Sequence, residues 1–121
     1  MAAFKQSDLF LFPSQIECSP IVLFEAMAAG LPFLSSDAGN AAEISQWSNH
    51  AGQIIPTLTK INNRIEVDVN EGAQMLSIML NDPAVLKVSS HNGKEAWKNK
   101  FTWKKIALQY EELYQSLCNN K

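Results

Sequence analysis

The chain has 121 residues, 46% of them apolar and 18% charged, with a formal net charge of −2. A chain of this length builds one modest domain that buries roughly two-thirds of the surface exposed on unfolding, and its composition excludes a disordered polymer. The charge excludes a basic field that would recruit nucleic acid or an anionic membrane, and no run approaches the roughly 18 apolar residues of a membrane span.

Residues 8–14 (DLFLFPS) form a short apolar run stopped by Pro-Ser, the pattern of a strand buried on both faces in a parallel sheet. Ser19-Pro20 predicts a helix start, with Ser19 as the cap and proline at the first helical position, where a missing N–H costs nothing. The helix runs through Ala29 and ends at Gly30, a residue suited to the left-handed C-terminal position, with Pro32 just beyond. Residues 31–39 (LPFLSSDAG) repeat the strand pattern, and residues 52–56 (GQIIP) supply a third strand. Asp68 in VDVNEG predicts a helix cap; the stretch lacks the remaining ligands of a calcium loop. Helical patterns then cover 72–81, 83 to about 98, and 103 to about 117, the last with Trp103, Ile106, Ala107, Tyr110, Leu113, Tyr114 and Leu117 on one face. Strand, helix and strand in succession, with helices last, imply an α/β fold: a Rossmann-like parallel sheet with flanking helices, in three layers.

The apolar run 21–29 carries one carboxylate, Glu25, with Ile21, Val22, Ala28 and Ala29 one turn away; Glu17 lies eight residues upstream. A buried, unpaired carboxylate costs several kcal/mol, so Glu25 calls for a partner. A helix N-terminus at the carboxyl end of a strand presents unpaired N–H groups and about half a positive charge, which suits phosphate. Pro20 removes one such donor, whereas Ser19, Ile21 and Val22 keep theirs. Glu25 is then placed to accept from vicinal hydroxyls such as those of a ribose, and Glu17 from a second polyol across the phosphates. A nucleotide sugar fits this set.

Other chemistry is poorly supported. Ser14 has no Ser-His-Asp order or G-x-S-x-G elbow around it, so it reads as a turn residue. His50 and His91 have no ligand-spaced partner, and there is no D-x-D pair for a metal. Cys18 and Cys118, without CxxC or Cys/His spacing, read as free thiols of a reducing, cytoplasmic compartment, with Cys18 assigned to packing. Trp97, Phe101 and Trp103 are assigned to core or interdomain packing rather than to a sugar-stacking platform.

The stretch 13–44 (PSQIECSPIVLFEAMAAGLPFLSSDAGNAAEI) resembles the signature of retaining glycosyltransferases of the GT-B fold, the group 1 or family four enzymes. The likeness rests on an ordered set: Pro-Ser, E-x7-E, EAMAAGLP, then Ser-Asp with a Gly-Asn turn and Glu43. Residues 101–117 (FTWKKIALQYEELYQSL) are similar to the C-terminal helix of the same group. The resemblance implies that residues 1–121 are the C-terminal part of a GT-B donor-binding domain, beginning at the helix before a late strand. The N-terminal acceptor domain, the basic residues around the departing diphosphate and the wall that reads the base would lie upstream, since two such domains need roughly 300 residues.

It further implies transfer of a hexose-type unit from a nucleotide diphosphate sugar to an acceptor hydroxyl with retention of configuration, and with no metal or other cofactor. Glu17 would be the catalytic residue and hold the donor hexose, Glu25 the ribose, and the N–H groups near Ser19, Ile21 and Val22 the diphosphate. Ser19 and Pro20 depart from the bulky apolar residue and the glycine frequent in similar proteins, and so bear on the shape of the sugar pocket. An alternative is a non-catalytic truncated module that binds nucleotide sugar weakly or only self-associates; a nucleotide-sugar epimerase of the same fold is disfavoured by EAMAAGLP and the C-terminal helix. Expected partners are the nucleotide sugar, the missing N-terminal domain, a second copy of the chain through the cut sheet edge or the terminal helix, and, for the parent, a membrane face; nucleic acid is not expected.

Overall fold

Phe33 and Leu34, neighbours on the central strand, point to opposite sides of the sheet and each begins a separate apolar layer. The computed structural model describes residues 2–62 and 64–119. In chain order it contains α1 (Ala2–Gln6), β1 (Phe10–Phe12), α2 (Ile21–Ala29), β2 (Phe33–Ser35), α3 (Ala41–Trp47), β3 (Gly52–Ile54), β4 (Thr57–Ile61), β5 (Arg64–Val67), α4 (Val69–Asn81), α5 (Pro83–Ala96), a π-helical turn (Trp97–Phe101) and α6 (Trp103–Asn119).

Strands β1, β2 and β3 form a parallel sheet in that order, with Phe10 opposite Phe33 and Phe33 opposite Gly52. Leu23 and Met27 of α2 and Ala41 and Ile44 of α3 pack with Phe33 on one face. Leu34 packs with Ile55 and with Met79, Met75 and Leu76 of α4 on the other. The three layers expected from the sequence are present.

Helix α2 ends as expected: Gly30 adopts φ 74° and donates its N–H to Ala26 and Met27 carbonyls. Its start differs. Pro20, not Ser19, occupies the N-cap position, no side chain caps the helix, and the Pro20 carbonyl accepts from Leu23 N–H at 3.0 Å. The residue before a proline is driven out of the helical region, which keeps Ser19 outside the helix. Asp68 does cap α4, its Oδ1 accepting from Asn70 and Glu71 N–H groups at 3.0 Å, and the helix begins three residues earlier than the apolar periodicity indicated. Helix α5 stops at Ala96 rather than continuing to 98. The π turn carries Trp97 and Phe101 onto the α2 side of the core, with Phe101 edge-on to Phe24 at 5.0 Å between ring centres, and Thr102 is extended. Trp103 is not part of that packing; it is 86% exposed.

The sequence reading assigned no element to two segments: the short helix α3 and the antiparallel β4–β5 hairpin. Helix α6 buries no residue, and Tyr110, Leu113, Tyr114 and Leu117 are exposed on it. Among the described residues, no helix is long and apolar enough to cross a membrane.

Candidate functional site

The loops 13–20, 36–40 and 55–56 follow the carboxyl ends of three parallel neighbouring strands, so they gather at one edge of the sheet, where ligands of open α/β sheets bind. The first loop is fastened to the second at several points. Ser36 N–H donates to the Phe12 carbonyl at 3.2 Å, and Ser36 Oγ donates to the Ser14 carbonyl. Gly39 adopts φ 61° and lies against the chain so closely that a Cβ there would sit 2.5 Å from the Cys18 carbonyl oxygen. Only glycine meets both conditions without displacement.

Within the loop, Ser14 Oγ donates to Glu17 Oε1 at 2.7 Å and lies 3.3 Å from the Ile16 carbonyl. Glu17 is half-buried. Ser14 is therefore more than a turn residue: its hydroxyl orients one carboxylate oxygen. A serine directly after the strand-ending Pro13, three residues ahead of a glutamate, was the signal available for this bond.

Downstream of the loop, Leu23 N–H is taken by Pro20, and among the described residues no protein acceptor meets the N–H groups of Ser19, Ile21 or Val22. Ser19 and Ile21 are exposed and Val22 is half-buried. Glu25 is exposed as well. Glu25 is therefore not the buried carboxylate that the apolar run suggested: the buried face of α2 is formed by Leu23, Ala26 and Met27, while Ile21, 67% exposed, shares the outer face with Glu25. Cys18 is exposed rather than packed; its carbonyl, not its thiol, makes the contact with Gly39. At the start of α3, Asn40 Oδ1 is shielded from solvent and has no hydrogen-bond partner among the described residues.

The arrangement offers one oriented carboxylate, one exposed carboxylate on the first turns of α2, and open helix-end donors between them in sequence, a set able to accept from hydroxyls and donate to an anion. Two surface concavities lie elsewhere, one along α6 by Tyr110 and Tyr114 and one beside β3 by Ser45, His50 and Met75. Among the described residues no three His, Cys, Asp or Glu side chains converge to hold a metal.

A family model described as glycosyl transferases group 1 matches residues 1–61, just over half of the chain and all of the three carboxyl-edge loops. The chain belongs to this glycosyltransferase family. Among curated relatives, the MMP alpha-(1->4)-mannosyltransferase of Mycolicibacterium hassiacum is 25% identical over 114 residues, which cover 94% of this chain and 26% of the relative. The alpha-maltose-1-phosphate synthase of Mycobacterium tuberculosis is 26% identical over 117 residues, 93% of this chain and 28% of that protein. Of solved structures, sucrose-phosphate synthase from Thermosynechococcus elongatus aligns with a TM-score of 0.74 and 28% identity over 98% of this chain and 27% of its own. WaaG, a glycosyltransferase involved in lipopolysaccharide biosynthesis, shares the fold at a TM-score of 0.70 and 24% identity, over 82% of this chain and 24% of its own. The α/β, Rossmann-like sheet of GT-B type expected for the glycosyltransferase family is the fold found. The chain spans about a quarter of the length of the relatives it matches.

Proposed function

We propose that this chain supplies part of the donor site of a retaining GT-B glycosyltransferase, which moves a hexose-type unit from a nucleotide diphosphate sugar to an acceptor hydroxyl. The observation that carries the reading is the Ser14–Glu17 bond, which orients a carboxylate just ahead of the open N–H groups of α2, inside the segment that matches the family. With one oxygen of Glu17 held by Ser14, the other is free to accept from the hexose hydroxyls. The N–H groups of Ser19, Ile21 and Val22 receive the diphosphate, and Glu25, exposed one turn along α2, accepts from the ribose. The bond from the sugar C1 to the diphosphate oxygen breaks while the acceptor oxygen bonds to C1 on the same face, and the acceptor proton passes to the departing diphosphate. The acceptor site, the base-reading wall and the basic side chains come from the rest of a longer protein.

In that full-length protein, Glu17→Ala lowers kcat/KM more than tenfold, at least about 1.4 kcal/mol of transition-state stabilisation. Unchanged kinetics would make Glu17 a solvated loop acid and refute the reading. The span of about a quarter of the relatives favours a second statement for the polypeptide taken alone: it binds nucleotide sugar weakly and turns none over. Calorimetric titration with a nucleotide sugar, set beside a product assay, checks it; turnover by the chain alone would overturn it.

A further inference from the structure

The loop that carries Glu17 is held from a second side, by the β4–β5 hairpin. Ile65 is 1% exposed, while Arg64 and Glu66 on either side of it are exposed. The Ile65 N–H donates to the Gln15 carbonyl at 2.9 Å, and Arg64 Nη2 donates to Gln15 Oε1 at 2.7 Å. Two consecutive residues of β5 thus grip both the backbone and the side chain of Gln15, the residue between Ser14 and Ile16 in the turn that orients Glu17. Residues 64 and 65 lie beyond the segment that matches the family.

The two contacts differ in what they contribute. Ile65 is a buried anchor whose loss costs folding stability. The Arg64–Gln15 bond is open to water, where such bonds contribute little to global stability, yet the N–H of the planar guanidinium gives a direction to the amide oxygen it meets. Its effect is therefore local, on the shape of the turn 14–17.

We propose that Arg64 is a positioning residue for Glu17, acting through Gln15. The inference rests on the reading of Glu17 as the contact to the donor hexose. It gives the hairpin a role at the donor site: the angle at which Glu17 meets the sugar is set partly by β5.

Hydrogen exchange on this chain, read by mass spectrometry, tests the grip without any turnover. Arg64→Ala raises exchange of the amides of residues 14–19 roughly three- to tenfold and leaves those of α2 and β2 unchanged. Gln15→Ala does the same, and the double variant goes no further than either single one. In the full-length glycosyltransferase, Arg64→Ala lowers kcat roughly three- to tenfold with the donor KM little changed, because a misdirected Glu17 loses contact mainly in the transition state, and Arg64→Lys recovers part of the loss. Unchanged exchange at 14–19, or additive effects in the double variant, overturns the grip. Raised exchange with kcat unaltered, in an enzyme that Glu17→Ala does impair, overturns the positioning role alone. A silent Glu17→Ala removes the donor-site reading and this proposal with it.

Discussion

Gly39→Ala probes how firmly the backbone behind Glu17 is fixed. Gly39 has φ 61°, and an alanine there pays about 1–2 kcal/mol for the left-handed conformation. The new Cβ would also sit 2.5 Å from the Cys18 carbonyl oxygen, 2.8 Å from its carbon and 3.2 Å from the Glu17 carbonyl carbon, all backbone atoms that cannot rotate aside. Relief requires moving the loop, at the expense of a bond such as Ser14–Glu17 or Ile65–Gln15, each worth about 1 kcal/mol net. The sum is about 2–3 kcal/mol. Gly30→Ala is the matched control, since φ is 74° there and the clashing atoms are the far end of the exposed Lys94 side chain, which swings away. It should lose only the conformational part, about 1–2 kcal/mol. Urea unfolding of both variants resolves the difference, about 1 kcal/mol or more, as a gap of roughly 0.5–1 M in midpoint. Equal losses would show that the Cys18–Gly39 contact yields freely and that the loop is not fixed from that side.

Two further outcomes follow from features away from the loop. Asp68→Ala should cost about 1 kcal/mol in the same unfolding assay, and Asp68→Asn should restore most of it, because either side chain caps α4; equal losses in both would mean the cap bonds are not the source. The exposed Tyr110, Leu113, Tyr114 and Leu117 stripe on α6 should drive self-association, seen in light scattering as a mass that rises with concentration through the micromolar range and falls back in a Leu113→Glu, Leu117→Glu variant. A strictly monomeric wild-type chain would show that α6 stays solvated.

The layers were legible in the sequence because their signals are local and strong. Phe10 to Phe12, Phe33 to Ser35 and Gly52 to Ile54 are short runs bounded by Pro, Gly or Ser, Asp68 marks a helix start by its own hydrogen-bonding chemistry, and Pro83 marks another by its fixed φ and missing N–H. The hairpin was not legible, since Leu58 and Ile61 of β4 face solvent and write no core pattern, and Asn62, at φ 50°, is a weaker turn mark than Asn-Gly. The alternation Arg64, Ile65, Glu66, Val67 was the trace it left. At the site, the residue types of Glu17 and Glu25 could be picked out, but not their surroundings. The run 21–29 is apolar on nearly every side, so its sequence does not say which way Glu25 faces. The Gln15–Arg64 bond joins residues 49 positions apart and leaves no periodic trace.

The loop between β1 and α2 owes its shape to residues that are not in it: Ser36, Gly39, Arg64 and Ile65. It is therefore not portable. The octapeptide 13–20 transplanted onto another sheet edge would bring its glutamate and the Ser14 bond but none of the outside grips, and the carboxylate would wander. Conversely, two proteins with identical residues from 13 to 25 can aim Glu17 differently if their hairpins differ, while the signature itself stays letter for letter the same.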